Sequence, residues 1–273
     1  MNDSFIAATI LTVIAGLSTG IGSAIGLFTK KTNYTVLSLA MGFSAGVMIY
    51  ISFTELLNEA FHVLTEDLGE RTGSIAAVAS FFGGILLIAI IDKLVPSYEN
   101  PHEFDHTDDL KKGESQIQAS AKHKKLLRMG IMTALAIAIH NFPEGMATFA
   151  SAYNDISLGI PIAVAIAIHN IPEGLAVSVP IYYATGNRKK AFWYSFLSGL
   201  AEPVGALVGY FLLMQFFTDT VFGVVYGSIA GIMVFIALDQ LLPAAEQYGS
   251  HHVTIYGMVS GMAVMAVSLL LFI

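Results

Sequence analysis

The sequence predicts an all-α, polytopic membrane protein with eight transmembrane helices, kinked central helices and both termini on the extracytoplasmic side. Three observations predict it. Apolar residues make up 55% of the 273 positions and charged residues only 12%, with a mean hydropathy of +0.69. A soluble domain carries about a quarter charged residues. Eight apolar runs each reach the length of about 20 residues that a spanning helix needs. Of the 13 Lys and Arg residues, 12 fall on alternate connections between those runs. The net charge of −7 and the sequence pI near 5.5 argue against a nucleic acid or another polyanion as partner. There is no cysteine, which excludes disulfides, thiolate zinc sites and iron–sulfur clusters.

The runs cover 5–27, 35–58, 74–95, 129–153, 157–183, 191–216, 221–242 and 253–273, in one transmembrane domain over 1–273. Lipid supplies no partners for backbone groups, so each run must be helical. The runs are continuous rather than alternating, which excludes a barrel. The first is read as a span and not a cleavable signal, because Met1-Asn2-Asp3-Ser4 carries no positive charge. Lys30 and Lys31 follow the first run. Lys93, Lys111, Lys112, Lys122, Lys124, Lys125 and Arg128 surround the third connection, and Arg188, Lys189 and Lys190 follow the fifth. Positive residues collect on the cytoplasmic side, so these connections face inward. Arg71 is the exception, among Glu66, Asp67 and Glu70. The segment 96–127 reads as a flexible cytoplasmic loop. Its His102, His106 and His123 either hold metal weakly or belong to a solvated tether. Gly16/Gly20, Gly22/Gly26, Gly205/Gly209 and Gly223/Gly227/Gly231 have the four-residue spacing that lets helices approach closely.

Two consecutive runs carry nearly the same ten residues. Ala136-Ile-Ala-Ile-His140-Asn141-Phe142-Pro143-Glu144-Gly145 and Ala165-Ile-Ala-Ile-His169-Asn170-Ile171-Pro172-Glu173-Gly174 match at nine of ten positions. The short connection makes the two helices antiparallel and sets the motifs at one depth. A carboxylate at the bilayer centre costs several kcal/mol, so these side chains line a cavity or bind a cation. His140/Glu144 and His169/Glu173 lie four apart, on one face of each helix. Each pair can grip a cation from its own helix, and Asn141 and Asn170 add neutral oxygens. Pro143 and Pro172 remove a backbone donor, so each helix should kink there, as at transporter ion sites. Gly145 and Gly174 should leave room beside each carboxylate. The sixth run adds Glu202-Pro203 at its centre, and the second adds Glu55 and, nearer the outer mouth, Glu59.

Asp92, Asp239 and Glu246 stand toward the cytoplasmic ends, where they form either an exit step or, for Asp92, a plain ion pair with Lys93. Met41 and Met48 offer soft sulfur or fill core space. Ser44, Ser52 and Thr54 carry no assignment. Imidazole, carboxylate and amide without thiolate suit divalent zinc, iron, manganese and cobalt. The donors exceed what one tetrahedral ion needs, which makes a pair of ions bridged by Glu144 and Glu173 plausible.

The paired His-Asn-x-Pro-Glu-Gly motifs, followed by Ala201-Glu202-Pro203 on the next span, resemble the ZIP (Zrt/Irt-like) metal transporters, in particular their ZupT-like bacterial branch. The resemblance runs over all eight spans. It implies a plasma-membrane importer of divalent metal (zinc, with iron, manganese, cobalt and cadmium), no prosthetic group, a lipid bilayer as surroundings and assembly as a homodimer. It also implies a two-metal centre. One ion would be held by His140, Glu144 and Glu173 with Glu55 from span two. The other would be held by Asn141, Glu144, Asn170, Glu173 and Glu202. His169 would be a ligand or a gate.

Two other readings compete. A membrane-embedded metal-dependent hydrolase would use His and Glu to activate water, but there is no His-Glu-x-x-His or Gly-x-Ser-x-Gly pattern. The carboxylates could instead relay protons for a sugar or amine, which leaves the clustered His and Asn unexplained. Imidazole must be neutral to bind metal. Zinc binding, titrated from pH 8 downward, should weaken below about 6.5, the ordinary imidazole value. A flat affinity down to about pH 5 would remove His140 and His169 from the ligand set.

Overall fold

The structure is a computed structural model that describes residues 3–28, 34–94, 116–213 and 218–270. The described residues are helical, with short connections between helices. Helix α1 is Asp3–Phe28. Helix α2, Tyr34–Ile51, continues through a π-helical turn, Ser52–Leu56, into α3, Leu57–Leu68. After Gly69 comes α4, Glu70–Leu94. Then follow α5, Gln116–Asn154, and α6, Ile156–Thr185. Helices α7, Arg188–Gly199, and α8, Ala201–Val208, form one interrupted rod that leads into a π-helical turn, Gly209–Leu213. Helix α9, Asp219–Ile236, passes through a third π-helical turn, Ala237–Leu241, into α10, Leu242–Tyr248. Helix α11 is His251–Leu270.

Among the described residues, six stretches are long and apolar enough to cross a bilayer: Asp3–Ile25, Thr35–Leu68, Glu70–Lys93, Gly159–Thr185, Asp219–Tyr248 and His251–Leu270. The other two expected spans fall in α5 and in the α7–α8 rod. His140, Asn141, Pro143 and Glu144 dilute the apolar character of α5, and the rod is interrupted at Leu200. Helix α5 also starts earlier than its apolar run. From Gln116 onward the segment expected to be loop is helical. His102 and His106 lie outside the described residues, and so do Lys30 and Lys31.

The helices sort by their outward faces. On α1, Ile6, Ile10, Ile14, Leu17, Ile21 and Ile25 form an exposed stripe at helical spacing. Its opposite face buries Ala8, Thr12, Ala15, Thr19 and Ser23. This is the pattern of a soluble helix reversed, apolar outside and small or polar inside. It fits a lipid solvent, which is as apolar as a leucine side chain and rewards close backbone packing instead. Helices α4 and α11 show similar outward stripes, while α6 is the most enclosed of the candidate spans. Helix α6 packs on α1, α5, α7 and α2; α9 packs on α4 and α3; and α11 packs on α2. Two helix groups result, α1 with α5–α8 and α2–α4 with α9–α11, joined mainly where α2 meets α6.

Helices α5 and α6 run through Pro143 and Pro172 without a break in the helix. Close neighbours hold these turns in place. A Cβ on Gly145 would land on the Glu202 carbonyl oxygen, and one on Gly205 on the Phe142 carbonyl oxygen, so α5 and α8 grip each other reciprocally. Gly174 and Gly22 do the same for α6 and α1, against the carbonyls of Thr19 and Ile171. The space expected beside the two carboxylates is therefore taken by neighbouring backbone. The chain interrupts instead at Leu200. Pro203 has no N–H for the Gly199 carbonyl, and its ring crowds that turn.

This packing sets a test. Gly205→Val should lower stability by about 1–3 kcal/mol, because backbone stands where the side chain must go. Gly83→Ala, with nothing near its added carbon, should change it by less than about 1 kcal/mol. Thermal unfolding in detergent reads both.

Candidate metal centre

Asn154 ends α5, and Asp155 caps α6 by accepting from the Ser157 backbone N–H at 2.8 Å. A hairpin this tight fixes the relative height of the two motifs. His140 stands 15 residues before Asp155 and His169 stands 14 after it, which is about 22 and 21 Å along the two axes at 1.5 Å per residue. The repeated residues therefore meet level with one another.

They meet crosswise. His140 Nε2 lies 3.2 Å from Glu173 Oε1, and His169 Nε2 lies 2.9 Å from Glu144 Oε1. The side chains pair between helices, while His140 with Glu144 and His169 with Glu173 share one helix each. Antiparallel neighbours at one depth bring each imidazole opposite the other helix's carboxylate. All four side chains are at most 2% exposed.

The distances suit ion pairing, but the angles do not give hydrogen bonds. Both ring nitrogens of His140 and His169 and both oxygens of Glu144 and Glu173 lack a hydrogen-bond partner. So do Asn141 Oδ1, Asn170 Oδ1 and Glu202 Oε2. Buried polar atoms without partners are rare, and each costs about 1–3 kcal/mol. This many in one place form a coordination shell in composition: imidazole nitrogens, carboxylate oxygens and amide oxygens. Among the described residues, no group of three or more His, Asp or Glu converges as a ready metal cage. The imidazoles and carboxylates turn toward one another instead.

The two asparagines are anchored from behind. Asn141 Nδ2 donates to the Ser198 carbonyl at 3.2 Å. Asn170 Nδ2 donates to the Ala15 carbonyl at 3.0 Å and to Glu202 Oε1. With the amide nitrogen committed to α1 or α7, the amide oxygen is left to face the cluster. Glu202 is buried in the first turn of α8, where the positive end of a helix suits a carboxylate. The charges of Glu144 and Glu173 act on it. Three carboxylates and two imidazoles thus share one buried region.

Glu55 is not brought into this group. It sits half-buried in the π-helical turn after α2, and the charge acting on it is that of Glu59. The charge of Glu59 also acts on Tyr226 of α9, whose hydroxyl pairs with that of Ser151 on α5 at 2.9 Å. These four residues lie beyond the cluster, toward the Asn154 end of α5. Asp92 stands near the end of α4 and Asp239 in the π-helical turn between α9 and α10, and each interacts with a neighbour. Glu246 Oε1 lies 2.5 Å from His251 Nδ1, and both side chains are exposed.

Several residues at the centre were not assigned from sequence: Ser44, whose hydroxyl donates to the His169 carbonyl at 3.3 Å, and the Ala15 and Ser198 carbonyls. The available signal for Ser44 was a hydroxyl inside an apolar run. For the carbonyls there was none.

A family model described as ZIP zinc transporter matches residues 92–269. A protein named zinc transporter ZupT from Streptococcus mutans is 61% identical over 273 residues, covering all of both chains. One of the same name from Chlorobium chlorochromatii is 59% identical over 273 residues, again covering both chains in full. One from Nitratidesulfovibrio vulgaris is 59% identical over 265 residues, 96% of each chain.

A ligand that binds only the folded protein stabilises it by about 2.7 kcal/mol at 100 times its dissociation constant. Zinc should raise the melting temperature of the detergent-solubilised protein. The Glu144→Gln, Glu173→Gln double variant should lose that rise. An equal rise in the double variant would place zinc elsewhere.

Proposed function

Since this chain belongs to the ZIP zinc transporter family, whose members named above are transporters and not hydrolases, we propose that it imports zinc and related divalent ions into the cytoplasm through the twin-motif centre. The observation that carries this reading is the crossed pair of buried imidazoles and carboxylates with its partnerless donors. A divalent cation supplies what they lack. Its charge offsets the carboxylates, and its coordination shell takes up the free oxygens and nitrogens.

In this reading the ion separates the pairs as it enters. Glu173 and Glu144 exchange imidazole for metal, and His140 and His169 present ring nitrogens to it. Asn141, Asn170 and Glu202 complete the donor set from positions already fixed by α1, α7 and α8. The donors suffice for two ions bridged by Glu144 and Glu173. Zinc is the first cargo, and iron, manganese, cobalt and cadmium suit the same imidazole and oxygen set. Eight spans with both termini outside follow from the one-sided Lys and Arg pattern, which puts the Glu55 and Glu59 end outward, in the plasma membrane. Glu55 then acts at the entrance and not in the centre. For a homodimer the family resemblance is the sole support.

Uptake by proteoliposomes tests the reading. Wild-type protein should accumulate zinc above protein-free vesicles, and Glu144→Ala and Glu173→Ala should each cut the rate by more than about tenfold. Uptake that survives both substitutions would refute it.

A further inference from the structure

Ser44 is a fully buried polar residue on α2, at the seam where the two helix groups meet. Its hydroxyl donates to the His169 carbonyl at 3.3 Å across to α6. That is long for a hydroxyl bond, which normally spans about 2.5–3.0 Å, and a second acceptor lies close by. Side chains on a helix lean toward its N-terminus, so the Glu173 side chain lies over the turn that begins at His169. Ser44 acts on the Glu173 carboxylate, although no bond of strict hydrogen-bonding geometry joins them. Glu55 lies 11 residues further along the same rod, about 16 Å at helical rise. Ser44 is thus the polar side chain that α2 brings level with the twin motif.

We propose that Ser44 is a positioning residue of the metal centre: its hydroxyl swings from the His169 carbonyl to the Glu173 carboxylate and fixes the orientation in which that carboxylate grips a divalent ion. The inference rests on Glu173 being a ligand, as proposed above. A carboxylate that gives one oxygen to a cation has lone pairs left on the other, and a donor aimed there keeps it from rotating. The swing needs only a side-chain torsion, because both acceptors lie on one face of α6, a turn apart. Partners of this kind are typically worth 10–100-fold in metal affinity. The hydroxyl needs no charge for this role, and a carboxylate at the same place would add to the repulsion among Glu144, Glu173 and Glu202.

The test is zinc uptake by proteoliposomes over a range of zinc concentrations. Ser44→Ala should raise KM by about tenfold with the maximal rate nearly unchanged, and the zinc-free melting temperature should stay at the wild-type value. Ser44→Thr, which keeps the donor, should hold KM close to wild type. Ser44→Ala with a wild-type KM would overturn the proposal. A fall in maximal rate together with the melting temperature would also overturn it, since that marks a packing role. If Ser44→Ala does not yield folded protein, Ser44→Cys, of similar volume and a weaker donor, is judged by the same KM shift. Glu173→Ala run in parallel separates the two readings. A fully active Glu173→Ala refutes the metal centre itself, whereas an inactive Glu173→Ala beside an unaffected Ser44→Ala refutes only the role of the hydroxyl.

Discussion

Two imidazole–carboxylate pairs, crossed between antiparallel helices and shut away from solvent, set the terms for the rest of this molecule. A charged group at the middle of a bilayer costs several kcal/mol, and a buried ion pair rarely recovers the loss of hydration by itself. The pairs therefore need rigid surroundings. The Asp155 cap aligns the two heights, and the reciprocal glycine contacts of α5 with α8 and of α6 with α1 lock the helices in register. A slip of one turn in either helix, about 5.4 Å, would part each imidazole from its carboxylate, setting the two imidazoles against each other in one direction and His140 against Val177 with His169 against Thr148 in the other.

The centre consequently belongs to more helices than the two that carry the motif. Asn141 is held by a carbonyl of α7 and Asn170 by one of α1. Glu202 enters because the rod breaks at Leu200, just ahead of it. Helix α1 contributes no side chain to the cluster, yet its Ala15 carbonyl aims one. Its inner face is small and polar because it presses against α6, and its outer face is large and apolar because it meets lipid. One solvent condition thus dictates both the lipid surface and the close approach that positions the donors.

Much of this was legible in the sequence. Among the described residues each apolar run is helical, and the twin motif does bring His140, Glu144, His169 and Glu173 together, because repetition within a hairpin determines depth. Glu202 joins them, as its central place in a span implied. The crossing of the pairs was not legible. Spacing of four residues shows only that two side chains share a helix face, not which neighbour faces them. Pro143 and Pro172 sit inside continuous helix, where a missing donor weakens a turn but neighbouring backbone decides whether the helix breaks. Glu55 was drawn toward the centre by its charge, while the register of α2 against α6 places Ser44 there instead. That register depends on contacts between residues more than a hundred positions apart, which no local pattern encodes.

The asparagines show how the cluster limits its own charge. At either position an aspartate would offer the same oxygen but could not donate. The Ser198 or Ala15 carbonyl would face a carboxylate, and Glu202 would face a further like charge where Asn170 now donates to it. With amides there, Glu144, Glu173 and Glu202 remain the acidic side chains of the cluster. In the transport reading proposed above, a site that must release its ion has reason to stop at that point, since each added carboxylate in a medium of low dielectric deepens the well sharply. In that reading the neutral donors would complete the shell without deepening it further, which is the condition for a centre that passes a cation on instead of keeping it.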